Sequence, residues 1–154
     1  GTSKAYKGLP KKRPFEFRNN DVEALKQQFP DLLYVSPRNQ LGDFNGVSNV
    51  IRGTKTGAYT IYGDYPELIK QEQMDIVKGR FVNQQDIVSR RKVAIIGNGV
   101  IAELYMNAEE VIGTYIKING INFMVIGVKG MKNCCVCISI ITTLGIILNC
   151  VVFN

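Results

Sequence analysis

An Asn-Gly pair in the C-terminal half, Asn119-Gly120, constrains the fold of this 154-residue chain more than any other feature. Residues 114–118 and 121–128 flank it with largely apolar segments, and Asn-Gly in that setting is the strongest short-range signal for a β-hairpin. The two-residue turn predicts the opposite pairs Ile118 with Ile121, Ile116 with Phe123, Thr114 with Val125, Lys117 with Asn122, and Tyr115 with Met124. The first three pairs give an apolar face and the last two a wetter one, as in an antiparallel sheet of an α+β domain.

A glycine-containing turn follows a buried strand upstream of the hairpin. Residues 93–96 form a continuous apolar run, typical of a strand buried on both faces, and residues 100–105 predict the next helix. Gly97, Gly99 and Ala102 are spaced as in a dinucleotide-binding turn. Such a site also needs a parallel second strand that ends in an acid about 20 residues on. Here the chain turns back antiparallel instead, so the glycines are expected only to close the strand; a small dinucleotide-binding protein using residues 97–102 is the alternative.

Shorter elements are predicted upstream of this strand. A helix capped by Asn20 has Val22, Leu25 and Phe29 on one face and ends at Pro30. A strand at 32–35 is closed by Pro37, and a loop covers 40–46. Strands at 49–52 and 58–62 surround a turn at 53–57 as an edge hairpin. A helix at 66–71 precedes a strand at 75–77 and a turn at 78–80, and a helical turn is predicted at 107–111.

Composition excludes several classes of function. The chain has no histidine, which removes the usual general base, the usual zinc ligand and the middle residue of a Ser/His/Asp triad. Its net charge of +6 is scattered apart from residues 11–13 and 90–92, and no nucleic-acid reader motif accompanies these clusters, so we expect solvated surface and no nucleic-acid binding. The start at Gly1, without Met, predicts a piece of a longer protein.

The C-terminal tail allows three interpretations. Residues 134–153 carry no charge and reach the length of a transmembrane helix. The favoured interpretation is a buried strand at Ser139, Ile140 and Ile141 leading into a capped turn; a membrane segment and an altered or truncated terminus are the alternatives. Cys134, Cys135, Cys137 and Cys150 have in part a metal-binding spacing, but they lie in an apolar run, where buried thiols without a metal are expected.

Two further sets of residues have alternative roles. Asp43, Asp64, Asp75 and Asp86 lie in predicted loops, where they suggest either calcium ligands or, as we expect, turn residues. Tyr59, Tyr62 and Tyr65 suit either a partner surface or packing on the sheet. No catalytic, cofactor-binding or metal-binding residue is predicted.

An ordered set of weak motifs resembles the extracytoplasmic core domain of MacB-type ABC transporter permeases, a group that includes FtsX-like and lipoprotein-releasing permeases. The set comprises a strand ending in Gly79-Arg80, Asp86, the strand that ends at Gly97, the helix step Leu104-Tyr105, Ile112-Gly113, and the hairpin through Val128. Residues 49–129 match well and residues 21–36 more loosely. The tail departs from the family pattern, with only residues 140–144 similar to its last strand.

The resemblance implies fold, organisation and role. The fold is α+β: a mixed, mainly antiparallel sheet with short helices, in a porter-like subdomain with a smaller lobe. Residues 1–19 are a flexible basic segment, 20–130 the core domain, and 131–154 the tail. The domain lies on the periplasmic side of the cytoplasmic membrane between transmembrane helices, and is not an enzyme. Its expected partners are a cytoplasmic ATPase, a periplasmic adaptor and the exported substrate, and the parent membrane protein is expected to be a dimer.

Overall fold

The computed structural model describes residues 4, 7–8, 10–12, 19–33, 35–41, 48–72, 74–105, 110–130, 137–141 and 149–152. Within these ranges the helices are α1 (Asn19–Gln28), α2 (Leu68–Glu72), α3 (Gln84–Val88) and α4 (Asn98–Leu104). The strands are β1 (Val35–Leu41), β2 (Val50–Arg52), β3 (Lys55–Gly57), β4 (Thr60–Gly63), β5 (Ile76–Gly79), β6 (Val93–Gly97), β7 (Tyr115–Ile118), β8 (Ile121–Lys129), β9 (Cys137–Ile140) and β10 (Asn149–Val152).

The strands of these ranges form one mixed sheet. Hydrogen-bonded neighbours follow the order β10-β1-β4-β9-β6-β8-β7-β2-β3, and β5 pairs with β8 beside this path. Two neighbouring pairs are parallel, β4 with β9 and β6 with β8, and the others are antiparallel. The predicted α+β class with a mixed, mainly antiparallel sheet and short helices is therefore confirmed, whereas the smaller lobe stays a prediction.

The predicted hairpin is confirmed in register. Strands β7 and β8 pair Ile118 with Ile121 and Ile116 with Phe123, and the turn residues Asn119 and Gly120 both have positive φ, as a two-residue hairpin turn of this kind requires. Ile116, Ile118 and Phe123 are buried, but Ile121 beside the turn is 44% exposed. The buried part of the apolar face therefore begins at Phe123 on β8, two residues later than the alternation predicts.

Strand β6 lies in the middle of the sheet, and all of its residues are buried. Its neighbours are β8, which runs parallel to it, and β9, which runs antiparallel. The prediction that the chain would not cross over to a parallel neighbour is thus wrong, because the second arm of the hairpin returns beside β6 in the same direction. The prediction of a strand buried on both faces is confirmed.

The two faces of the sheet carry separate cores. On one face α4 packs through Val100 and Leu104 against a cluster that includes Ile96, Ile116 and Ile138. On the other face Leu68 from α2, with Phe81 and Val82 from the segment before α3, covers β6 and part of β8. This second covering does not include β2, β3 or β7, so half of that face has no buried cluster among the described residues.

The upstream hairpin is tighter than predicted. Strand β3 occupies part of the stretch expected to be a five-residue turn and pairs with β2 across Gly53-Thr54. The second predicted strand is displaced to β4, which pairs with β1 and β9 instead. The displacement has a local cause in the side chain of Asn49. Its Nδ2 donates to the carbonyl of Tyr59 at 2.7 Å and its Oδ1 accepts from the Tyr59 N–H at 2.9 Å, which directs the chain away from the hairpin.

Strand β1 also differs from the prediction, because it continues through Pro37 instead of ending before it. Proline is tolerated where its missing N–H does not face a paired neighbour. Among the described strands Pro37 pairs with β10 alone, opposite Cys150, and the pairing with β4 begins at Asn39. The predicted loop at 40–46 starts too early, because residues 40 and 41 still pair with β4. Residues 42–46 lie outside the described ranges.

Most other predicted elements are confirmed with shifted ends. Helix α1 begins at Asn19, so Asn20 lies inside it and is not its cap, and Phe29 follows its last residue and is exposed. Helix α2 and strand β5 each begin after their predicted starts, and Lys78 and Gly79 lie in β5 instead of a turn. The predicted helical turn at 107–111 lies largely outside the described residues.

The tail contributes strands to the sheet. β9 lies between β4 and β6, with Ile138, Ser139 and Ile140 buried, which confirms the buried strand predicted there. The capped turn predicted after it, at 142–143, lies outside the described residues. None of the helices in the described ranges is long and apolar enough to cross a membrane.

Candidate functional site

The polar side chains of the fold are grouped at junctions between elements. Three of these groups in the described ranges contain charged side chains; two join segments far apart in the sequence, and the third fixes a local segment. Across the same ranges no group of three or more His, Cys, Asp or Glu residues is arranged to hold a metal ion. Each group fixes one element or segment against another, and together they are the candidate functional framework of the described residues.

The first group, the Arg38 cluster, joins β1 to the end of β4 and to α2. The Arg38 Nε donates to Asp64 Oδ1 at 2.9 Å, and its Nη1 donates to Glu72 Oε1 at 2.6 Å. Its guanidinium also lies 4.2 Å from the ring centroid of Tyr62. The side chain of Asp64 is 0% exposed and that of Arg38 15% exposed. The ion pair is therefore largely shielded from water. Removal of either side chain would leave the charge of the other buried and without a counter-ion.

Burial and charge oppose each other at Asp64. Burial acts most strongly and raises the pKa of the Asp64 carboxyl, while Arg38 acts to lower it. The net direction is upward. Asp64 thus depends on Arg38 to stay ionised inside the fold at neutral pH.

The second group, the Arg80 clasp, fixes the segment between β5 and α3. Both terminal nitrogens of Arg80 donate to the carboxylate of Asp86, one of them at 2.9 Å, and Arg91 lies 3.6 Å from the same carboxylate. Asp86 also completes a capping box: it accepts from the N–H of Asn83 at 3.1 Å, and its own N–H donates to the Asn83 side chain at 2.9 Å. The hydrogen bonds from Arg80 lower the pKa of Asp86.

The third group, the α4 clamp, joins the β2-β3 hairpin to the C-terminal end of α4. Arg52 stacks at 3.8 Å on the ring of Tyr105 and donates to the carbonyl of Leu104, while Lys55 donates to the carbonyl of Glu103 at 3.1 Å. Cations at these carbonyls suit the negative end of the helix dipole. The Tyr59 hydroxyl adds a bond to Glu103 Oε2 at 2.8 Å, and burial with that bond raises the pKa of Tyr59.

Two glycines permit a close crossing of β5 and β8. Gly79 has φ +73°, and a Cβ there would collide with the carbonyl oxygen of Ile126. A Cβ on Gly127 would collide with the carbonyl oxygen of Arg80, whose N–H donates to Ile126 O at 3.0 Å. At the end of β5, the backbone of Gly79 and Arg80 therefore lies directly against the backbone of β8, and Arg80 also begins the Arg80 clasp.

The structure places the predicted aspartates and tyrosines in different surroundings. Asp64 and Asp86 belong to separate ion pairs, the carbonyl of Asp75 accepts from the N–H of Gly130, and Asp43 lies outside the described residues. Tyr59 is buried in sheet packing, Tyr62 lies against Arg38, and Tyr65 is half-buried. Of the cysteines, Cys137 and Cys150 lie on β9 and β10, and Cys134 and Cys135 lie outside the described residues.

The glycine turn at 97–102 is a plain strand-to-helix junction. Gly97 caps α4 with backbone alone, and the parallel neighbour of β6 ends at Lys129, which pairs with Gly97. A dinucleotide site has an acid at the end of that neighbouring strand for the ribose. A lysine at this position has the wrong charge for the role, so the geometry does not favour the dinucleotide alternative.

Sequence reasoning missed the partners of these groups. Arg38 and Asp64 are 26 residues apart, and no local pattern links them. Asn83 and Asp86, by contrast, have the spacing of a helix capping box, which was available from the sequence. The basic residues Arg52 and Lys55 gave no signal, because their acceptors are helix carbonyls that appear only in the fold.

Known proteins are similar to this chain in sequence and in fold. The profile of the family described as MacB-like periplasmic core domain matches residues 3–134. The macrolide export ATP-binding/permease protein MacB of Chlorobaculum tepidum is 35% identical over 120 residues, which are 75% of this chain and 17% of that protein. The chain thus spans only a small part of such relatives.

Two solved structures share the fold. The extracellular domain of the noncanonic ABC-type transporter YknZ from Gram-positive bacteria matches with a TM-score of 0.71 and 18% identity, over 84% of this chain and 64% of that one. The periplasmic region of MacB from Actinobacillus actinomycetemcomitans matches with a TM-score of 0.69 and 18% identity, over 84% and 57%. With the profile covering most of the chain, the chain belongs to the family of MacB-like periplasmic core domains of ABC transporter permeases.

Proposed function

We propose that the chain is the extracytoplasmic domain of an ABC transporter permease, that it transmits conformational change between the membrane helices and an external partner, and that it catalyses no reaction itself. Its partners are a cytoplasmic ATPase, reached through the parent permease, and an adaptor or the exported substrate outside the membrane. The core domain is assigned to residues 20–130, and the strands of the tail complete its sheet. The parent permease is proposed to act as a dimer.

One observation carries the proposal: the profile of the MacB-like periplasmic core domain matches residues 3–134. The mixed sheet of the described residues supports it, because two extracytoplasmic transporter domains share this fold with TM-scores of 0.71 and 0.69.

The polar groups support the transmission role. The Arg38 cluster joins β1 to α2, the Arg80 clasp fixes the segment between β5 and α3, and the α4 clamp joins the β2-β3 hairpin to α4. One sheet connects the three groups. A packed body of this kind passes a displacement applied at one end to the other instead of absorbing it. We therefore expect the domain to move as a unit when the ATPase works.

Placement of the domain is tested first, in the parent permease in spheroplasts. A cysteine at Lys78, which is exposed on β5 and belongs to none of the three groups, should react with a membrane-impermeant maleimide. The parent protein without the added cysteine measures the background from its native cysteines, four of which lie in this chain. A cysteine in the ATPase subunit should react only after lysis. Labelling of Lys78→Cys only after lysis would place the domain in the cytoplasm and end the proposal.

Partner contact needs a separate measurement. Photo-crosslinking residues at exposed positions of the domain, in cells that express the parent permease with its neighbouring genes, should yield a crosslink to an adaptor or to labelled substrate. The relative from Chlorobaculum tepidum is named for macrolide export, so a labelled macrolide is the first substrate to try. Crosslinks to neither class from any exposed face would contradict the partner part of the proposal.

A further inference from the structure

Half of the sheet face opposite α4 has no covering element among the described residues. The outward positions of β2, β7 and β3 there are Ile51, Tyr115, Lys117 and Thr56, and all four are exposed. Ile51 pairs with Thr56 on β3 and with Lys117 on β7, and Tyr115 pairs with the half-buried Met124. We call these four residues the open face. Its three neighbouring strands span about 10 Å across the sheet.

The open face combines exposed apolar side chains with a cation. Tyr115 is 62% exposed and Ile51 41% exposed. Lys117, two residues from Tyr115 on the same side of β7, makes no ion pair with any residue in the described ranges. The face carries no acidic residue, so its charge is positive.

Further cations lie at the Tyr115 end of the open face. The segment 89–92 joins α3 to β6, and its last carbonyl, on Lys92, accepts from the N–H of Met124 at 2.9 Å. Met124 is the partner of Tyr115, so Lys92 lies about two strand spacings, roughly 10 Å, from Tyr115. Arg90 and Lys92 are exposed and, within the described part of the chain, pair with no acid. Val88, at the end of α3, adds another exposed apolar side chain.

From this juxtaposition we propose that the open face, with Arg90 and Lys92 at its edge, docks on an anionic phospholipid surface. The unpaired cations complement phosphate headgroups, and Tyr115 with Ile51 reaches the interfacial layer, where tyrosine is enriched in membrane proteins. A second protein is the less favoured occupant, because a stable protein interface uses about 20–30 residues on each side and the proposed surface has only a few.

The docking proposal rests on the proposed function in one respect: the parent permease must hold the domain at the membrane. A contact of a few cations and two apolar side chains is weak, with about 1 kcal/mol from each cation near an anionic surface. A domain tethered to the membrane meets that surface at high effective concentration, so a weak contact is enough to set its orientation. The docking itself is a property of the chain and is measurable without the parent permease.

The first test uses the 154-residue chain with vesicles. Sedimentation with phosphatidylglycerol-rich vesicles should carry the chain down, phosphatidylcholine vesicles should not, and added salt should release it. The pair Lys92→Gln with Lys117→Gln should weaken binding about thirty-fold, the equivalent of about 1 kcal/mol per cation. Lys11→Gln with Lys26→Gln removes the same charge at exposed positions outside the face and should leave binding nearly unchanged.

A second test reports position directly, because the chain contains no tryptophan. Tryptophan at Tyr115 should shift its emission to the blue on addition of phosphatidylglycerol vesicles and should be quenched by brominated lipid. Tryptophan at Leu33, which is also exposed but lies between α1 and β1, should do neither. The two variants differ only in where the fluorophore is.

Several results would overturn the docking proposal. They are absence of binding to anionic vesicles, equal binding to neutral ones, equal loss in both lysine pairs, and equal emission shifts in both tryptophan variants. If the face variants instead abolish a protein crosslink in the parent permease while vesicles stay unbound, a protein is the occupant and the lipid proposal is wrong. Failure of the proposed function would appear separately, as a cytoplasmic location of the domain with vesicle binding intact.

Discussion

Replacement of Arg38 tests how much the buried Arg38–Asp64 ion pair contributes to the stability of the fold. Arg38→Met keeps the length and apolar stem of the side chain but removes the cation that faces Asp64, whose side chain is fully buried. Breaking such a pair from one side costs about 3–5 kcal/mol, since the remaining charge is uncompensated. Loss of the contacts to Glu72 and Tyr62 adds at most about 1 kcal/mol each, because exposed ion pairs and cation–π contacts are worth little.

The new contacts of methionine offset part of this, so we expect Arg38→Met to lower the free energy of unfolding by about 4 kcal/mol at pH 7. A domain of this size is stable by about 5–15 kcal/mol, so the variant should stay folded but close to its limit. Urea unfolding followed by far-UV circular dichroism measures the difference. Arg90→Met, which removes an exposed arginine with no acidic partner in the described part of the chain, should change stability by less than about 0.5 kcal/mol.

Two results would refute the reasoning. The double variant with Asp64→Asn should recover much of the loss, because no buried charge is left; a double variant as unstable as Arg38→Met would contradict this. The penalty should also shrink in acid. A carboxyl whose pKa is raised by folding favours the fold below its unfolded pKa of about 3.9, and this advantage is lost as the pH rises through the folded pKa. A penalty independent of pH would show that Asp64 is not the cause.

Other changes have equally definite outcomes. Gly127→Ala should destabilise by more than about 2 kcal/mol, because its Cβ meets backbone, whereas Gly53→Ala, with open space around a positive φ, should cost only about 1 kcal/mol; thermal unfolding compares them. Asp86→Asn should cost about 2 kcal/mol through lost charge-assisted hydrogen bonds. The pKa of Asp86 is lowered in the fold, so its contribution is present above about pH 3.9 and is lost as the pH falls through the folded pKa; acid unfolding should lose that part of its pH dependence in the variant. Titration with NADH should give no fluorescence change, and saturable binding abolished by Gly97→Val would revive the dinucleotide alternative.

Local sequence signals predicted the elements whose partners are close in the chain. The β7–β8 register follows from Asn119-Gly120 alone, because a two-residue turn leaves no other pairing. Strand β6 follows from an unbroken apolar run, which only a fully buried strand or helix tolerates. The same kind of signal placed β9 in the tail.

Long-range pairing was not predictable in the same way. The end of the upstream hairpin depends on the side chain of Asn49 bridging Tyr59, and the path of β1 through Pro37 depends on a strand more than a hundred residues later. The Arg38 cluster is a meeting of three elements that share no sequence pattern. The open face likewise appears only when the covering of the other half of the sheet is known.

Distance measurement in the parent permease tests the central claim, that the domain moves as one body with the membrane helices. Spin labels at Lys78 and Thr56, two exposed positions in different parts of the sheet, should keep one distance distribution with and without ATP and vanadate. A label at Lys78 paired with one in a flanking membrane helix should change its distance under the same conditions. A shift within the sheet pair, or an unchanged distance to the membrane helix, would contradict transmission by a rigid domain.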